Sequence, residues 1–169
     1  MNQNIAVWEK QLAEYHLPRW NELPDMDLYM DQVIGQLDKY LAVLSTPDTE
    51  HFITASMINN YVKLRLVPAP VKKRYGRTHL SYLVVVCLLK QVLSIPEIKQ
   101  LLKLHMQNGC AQDAYDAFCT VQEAAFAAIG AQAAAVRDES GTALAVQLAV
   151  QAAACKALTQ KIFCQPDEE

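Results

Sequence analysis

Nine residues between Tyr61 and His105 are Lys or Arg (63, 65, 72, 73, 74, 77, 90, 99 and 103), and one, Glu97, is acidic. That block carries +8. The remaining six basic and seventeen acidic residues carry −11, which together give the chain's net charge of −3. Ammonium and guanidinium groups concentrated in one block suit a surface that meets phosphate. The plainer alternative is that these cations only solvate two amphipathic helices; the order of the elements around them favours phosphate. Just upstream, Asn59 and Asn60 stand side by side inside a helical pattern, although adjacent asparagines lower helix propensity. An asparagine amide can pair bidentately with the edge of an adenine in the major groove.

Catalytic chemistry has much less behind it. The chain contains no glycine-rich phosphate loop, no H-E-x-x-H and no G-x-S-x-G. Asp25 with Asp27, or Asp113 with Asp116, could pair as carboxylates, but acids at those spacings ordinarily cap helices or line exposed faces. No enzyme and no cofactor is expected. The five cysteines (87, 110, 119, 155 and 164) form no C-x-x-C pair, so a disulfide framework is not expected. A metal site would need distant residues such as Cys110 and Cys119 with His105. Buried or idle thiols are the expectation instead, with no metal site. His16, His51, His79 and His105 share no spacing and read as surface or helix-end residues.

The elements that must position the cations follow in a definite order. Thr54 can cap a short helix over 55–63, with Met57, Ile58 and Tyr61 on its apolar face and Ser56, Asn59, Asn60 and Lys63 looking outward. Leu66-Val67-Pro68-Ala69-Pro70 cannot be helical. Residues 71–77 read as a short basic hairpin that Gly76 turns, with Lys72, Lys73, Arg74 and Arg77 placed to grip a sugar–phosphate backbone and Tyr75 packing or bonding alongside as a further DNA contact. Thr78 is the expected cap of a long buried helix over 80–93, although Val84-Val85-Val86 alone would suit a strand. Ser94, Pro96 and Glu97 open a further helix to Met106 with Ile98, Leu101 and Leu102 on one face.

These residues resemble the DNA-binding domain of MerR-type winged-helix regulators. Tyr61 stands for the aromatic that ends the recognition helix, and Leu66-Val67-Pro68 for the turn. Lys73-Arg74-Tyr75 is similar to the basic wing, and Leu93-Ser94-Ile95-Pro96-Glu97-Ile98-Lys99-Gln100-Leu101-Leu102 to the last helix. A closer resemblance is to a bacterial family of unknown function that shares this core, with stretches like residues 23–32 and 57–63. The resemblance covers roughly residues 23–106. It implies a recognition helix in the major groove and a wing on the backbone. Three departures stand out: Asn59 where the pattern has a backbone-contacting arginine, Arg65 in place of a turn glycine, and a long connection over 45–53.

Stepping outward, 169 residues allow one or two small domains, and 52% hydrophobic content supplies a core. Residues 5–17 are broken by Glu9, Lys10 and Glu14, so no export signal is expected. The apolar run 142–155 contains Gln147 and Gln151 and falls short of the roughly 20 residues a bilayer needs. A soluble, cytoplasmic protein without a membrane segment is expected. Residues 4–16 read as an amphipathic helix with Ile5, Trp8 and Leu12 on one side, and 17–24 as a loop. Asp25 is the expected cap of a supporting helix with Met30, Ile34, Leu37, Leu41 and Leu44 on one face and Asp27, Asp31 and Asp38 turned away from DNA. After a stop at Asn108-Gly109 the chain becomes Ala-rich. Two long helices, about 111–137 and 142–164, are expected to form an antiparallel hairpin. Tyr115, Phe118, Val121, Ala125 and Ile129 would line the first, and Leu144, Leu148, Ala152, Cys155, Leu158 and Ile162 the second.

The fold class expected is all-α: a helical extension over 1–22, a MerR-like winged helix-turn-helix domain with a small basic wing over 23–108, and an Ala-rich helical hairpin over 109–169. The function expected is a sequence-specific regulator that binds double-stranded DNA as a homodimer through residues 111–164, with a small-molecule effector left open. The alternative is a degenerate winged helix that serves as a protein- or ligand-interaction module. The two differ in whether DNA affinity is sequence-specific and survives physiological salt.

Overall fold

The computed structural model describes residues 2–45, 52–106, 110–135 and 141–164. They form seven α-helices in chain order: α1 (Asn2–Ala13), α2 (Met30–Tyr40), α3 (Ala55–Lys63), α4 (Arg77–Leu89), α5 (Ile95–Met106), α6 (Ala111–Ala135) and α7 (Gly141–Phe163). Short 3-10 turns lie at Trp20–Glu22 and Ala42–Leu44. Among the described residues the only extended pairings are two isolated antiparallel bridges, Leu28 with Tyr75 and Val71 with Arg74. The all-α expectation holds at this level. Parts of the 45–53 connection, the Asn108-Gly109 stop, His51 and the chain after Cys164 lie outside the described residues.

α4 is the hub. Leu80, Ser81, Leu83, Val84, Val86, Cys87 and Leu88 are all buried, and the valine triplet is helical. Buried Ser81 is satisfied locally, its hydroxyl donating to Thr78 O at 2.8 Å. The helix begins earlier than Thr78, at Arg77. The Gly76 N–H donates to His79 Nδ1 at 3.0 Å, so a histidine one turn in caps the end in place of the threonine hydroxyl. The helix also stops at Leu89, short of residue 93, and Leu93 is buried in the turn that follows.

α2 likewise does not start at Asp25. Residues 25 and 26 form a bend, and Leu28 exchanges two 2.9 Å backbone hydrogen bonds with Tyr75 in place of helical ones. The helix opens only at Met30, where Gln32 Oε1 accepts from the Tyr29 N–H at 2.9 Å. Its inward face is Val33, Leu37 and Leu41, with Met30, Ile34 and Leu44 half-buried beside them. The Thr54 cap read from sequence does form, its Oγ1 accepting from Met57 N–H at 3.3 Å, and at the helix start read at Ser94 the Glu97 Oε2 accepts from Ser94 N–H at 2.7 Å.

One hydrophobic core runs from Leu17 to Cys119, so packing crosses both expected domain boundaries, at 22 and at 108. α6 is strapped to the loop before α2. Tyr115 Oη donates to Pro18 O at 2.9 Å, and Asp116 Oδ1 accepts from Trp20 N–H at 2.7 Å. Glu123 takes Leu17 N–H at 2.8 Å and a bidentate Arg19 guanidinium at 2.8 and 2.6 Å. That guanidinium holds the Glu123 carboxyl below its ordinary range.

Farther along α6, α1 lies against Gly130. A Cβ on Gly130 would sit 3.3 Å from Glu9 O, so the absent side chain sets the approach of the two helices. Tyr15 meets Phe126 edge to face at 5.0 Å. The buried stripe of α6 is therefore Tyr115, Cys119, Gly130 and Ala133. Val121 and Ala125, expected there, face solvent, as does Trp8 of α1.

The expected antiparallel pairing of the last two helices does not form. α1 occupies the inward face of α6, and α7 packs on α5. Gln160 Nε2 donates to Glu97 Oε1 at 2.7 Å, and Gln100 Nε2 donates to Phe163 O at 2.9 Å. Leu144 is buried, but residues 149–158 are exposed throughout. α7 is 23 residues long and, among the described residues, is the one helix whose length and composition would let it cross a bilayer. That replaces the shorter apolar run read from sequence.

Candidate nucleic-acid interface

α3 holds its inward face in the core through Ile58 and Tyr61. Ser56, Asn59, Asn60 and Lys63 are exposed together on the other side, as their spacing predicts; Met57, expected inward, is exposed as well. The helix ends in a Schellman turn. The Arg65 N–H donates to Val62 O at 3.0 Å and the Leu66 N–H to Tyr61 O at 2.9 Å, with Leu66 and Tyr61 both buried. Arg65 holds the left-handed position of this motif, at φ 59°, where glycine is the usual occupant.

The basic segment that follows is a two-residue hairpin. Val71 and Arg74 exchange backbone hydrogen bonds of 3.1 and 2.9 Å, and the residues between them, Lys72 and Lys73, have φ of 50° and 61°. Positive φ at both central positions is the signature of a type I′ turn, in which Asn-Gly is the preferred pair. The turn is thus made by two lysines and not by Gly76, whose backbone is extended (φ −92°, ψ −172°). Gly76 serves a different need: a Cβ there would lie 2.7 Å from Asp27 Oδ1. His79 ties the hairpin base to α4. With Nδ1 accepting from Gly76, its Nε2–H faces Ala69 O at 3.2 Å.

Lys72, Lys73 and Arg74 are exposed. Arg74 is also held: its guanidinium lies 4.5 Å from the centre of the Tyr29 ring, and Nη2 donates to Tyr29 Oη at 2.7 Å. Tyr29 was not singled out in the sequence, since nothing local links positions 29 and 74. Two expected contact residues sit differently from the rest. Tyr75 is only 3% exposed and stacks edge-on to His79 at 5.6 Å, so it supports the hairpin from inside. Arg77 is half-buried in the first turn of α4, and its Nε is buried with no hydrogen-bond partner among the described residues.

The ion-pair contacts among the described residues involve Lys10, His16 and Arg19, and none of the nine cations between 63 and 103. Burial pushes the Cys87 thiol up to about 12 and Cys119 to about 11, which keeps both protonated and unreactive. Cys110 immediately precedes α6 and Cys119 lies nine positions on, about 13 Å along the helix axis, too far to share one ion. Among the described residues no group of three His, Cys, Asp or Glu side chains is arranged to hold a metal.

No curated protein and no solved structure matches the chain. Residues 18–118 match a family described as a domain of unknown function (DUF1836), and those limits nearly coincide with the core that runs from Leu17 to Cys119. The match spans more than half of the 169 residues, and the chain therefore belongs to that family.

Proposed function

We propose that this protein is a sequence-specific regulator that binds double-stranded DNA as a cytoplasmic homodimer, with α2, α3 and the 71–74 hairpin acting as a MerR-like winged helix-turn-helix. The observation that carries this reading is the Lys72–Lys73 turn, which offers two exposed cations from a backbone conformation that disfavours them. Non-glycine residues in the left-handed region cost on the order of 1 kcal/mol each and persist where a function retains them. In this reading Ser56, Asn59, Asn60 and Lys63 enter the major groove, Lys72 and Lys73 hold phosphates, and Tyr29 orients Arg74 toward the backbone. The Nη atoms of Arg77 add a further phosphate contact, while Tyr75 braces the wing. α7, whose sides are left to solvent, supplies the dimer contact within the 111–164 region.

Selection of sites from a random duplex pool at about 150 mM salt tests this. Enrichment of a two-fold symmetric sequence, with half-sites a whole number of turns of roughly 34 Å apart, is the expected result. Retention only at low salt, with nothing enriched, would favour an interaction module whose partner covers α7.

A further inference from the structure

Beside the C-terminal end of α3 the surface is concave. A groove of about 720 Å³ is lined by Arg65, Leu66, Tyr82, Pro96, Lys99 and Lys103. A second, of about 400 Å³, adjoins it through the shared residues Arg65, Leu66 and Tyr82 and adds Lys63. We propose that the larger groove is a binding site for a small organic phosphate of the nucleoside triphosphate class; the adjoining groove borders the DNA-reading surface at Lys63, but the site does not depend on that reading.

Three features lead there. The larger groove has the size of small-ligand sites, which range over roughly 300–1,000 Å³. A DNA duplex is a rod that sits on such a surface and does not enter it. Its three cations are exposed and have no ion-pair partner among the described residues, and no acid among those residues lines either groove. Three unpaired cations around one concavity call for a ligand with more than one negative charge. The walls between them, Leu66, Tyr82 and Pro96, are apolar in the main, which suits a ligand with an organic body beside its phosphates. Burial also raises the Tyr82 hydroxyl above its ordinary range, which keeps it a neutral donor.

Arg65 supplies the independent argument. Its φ of 59° is the position where glycine would relax the backbone. An arginine kept there places a planar, five-donor group at the junction of the two grooves, the side chain best matched to phosphate oxygens.

Calorimetric titration with ATP, with inorganic triphosphate as a second arm, tests the site on three proteins. These are the unaltered chain, Arg65→Gly, and the double variant Lys99→Gln/Lys103→Gln. Arg65→Gly is expected to fold at least as stably as the parent, because it relieves the backbone, and the two lysines are exposed. The expected result is one saturable site for ATP, weaker binding of inorganic triphosphate, and at least a tenfold loss of ATP affinity in both variants. Absence of ATP binding by the unaltered chain would overturn the proposal, as would equal affinity in all three proteins. If both variants weaken duplex binding and leave ATP binding intact, the groove belongs to the DNA interface and the small-ligand assignment fails. Loss of duplex selection alone, with ATP binding and its dependence on Arg65 preserved, would refute the DNA reading and leave this site standing.

Discussion

Lysine and arginine gain nothing from a left-handed backbone, yet the non-glycine residues with positive φ among those described are Arg65, Lys72 and Lys73. At the hairpin the conflict is direct, because Asn-Gly would form the same turn without strain. Replacing Lys72→Asn and Lys73→Gly together is therefore expected to raise stability by about 1–2 kcal/mol, which for a chain of this size moves the melting temperature up by several degrees. The same double variant should lose about two units from the slope of log affinity for duplex against log salt. Thermal unfolding and a salt titration of binding read the two effects separately. A lower melting temperature would mean that the lysines stabilise the turn, and the argument from strain would fall. At this scale the outward set of α3 was legible in the sequence, since one helix turn fixes which side chains share a face. Tyr75 and Tyr29 were not. Their roles come from the Leu28–Tyr75 bridge, which brings together segments more than forty positions apart.

Local signals located elements well where the partners were local. Thr54 caps as read and a helix opens after Ser94 as read, with Glu97 on the Ser94 amide, because a hydroxyl or carboxylate within three positions of its amide needs no tertiary help. Asp25 and Thr78 fail as caps for the opposite reason: the Leu28–Tyr75 bridge keeps the chain out of the helix until Met30, and His79 reaches the Gly76 amide first. The face of α6 was misread because hydrophobicity favoured Val121 and Ala125, whereas contact with α1 selects smallness at Gly130.

Glu97 offers a test at this scale, since one carboxylate both caps α5 and receives Gln160 of α7. Hydrogen bonds from Ser94, through its side chain and its backbone amide, and from Gln160 hold it near 2, below the usual 4.5. A carboxyl whose folded value lies below its unfolded one stabilises the fold above about pH 4.5, and that contribution is lost as pH falls toward 2. Glu97→Gln is expected to flatten the decline in melting temperature across that window, with little change in its pH dependence near neutrality. An unchanged acid profile would show that the α5–α7 dock contributes nothing to it.

At the scale of the molecule the unsolved element is α7. Helices that are apolar on every side are normally buried, yet Val150 and Leu158 of α7 are 64% and 61% exposed, with Val146 and Ile162 also in solvent. Gln160 and Phe163 meet α5 at the C-terminal end of this helix and Leu144 is buried near its N-terminal end, so residues 149–158 between them are left for another molecule. Gln147, Gln151 and Lys156 interrupt the helix at positions that suit a wet protein interface better than hydrocarbon. A second copy is the simplest occupant, because an isologous contact brings the same apolar surface from both sides. It would also place two reading helices on one duplex. Val150→Glu with Leu158→Glu is then expected to shift the mass measured by light scattering from dimer to monomer. The melting temperature measured at low protein concentration should stay close to that of the parent, since neither residue touches the Leu17–Cys119 core. Affinity for a two-half-site duplex should fall by 10²-fold or more when the intramolecular second contact is lost, while affinity for a single half-site should hold. A parent protein that is monomeric at every working concentration would refute the dimer, and α7 would then need a different partner.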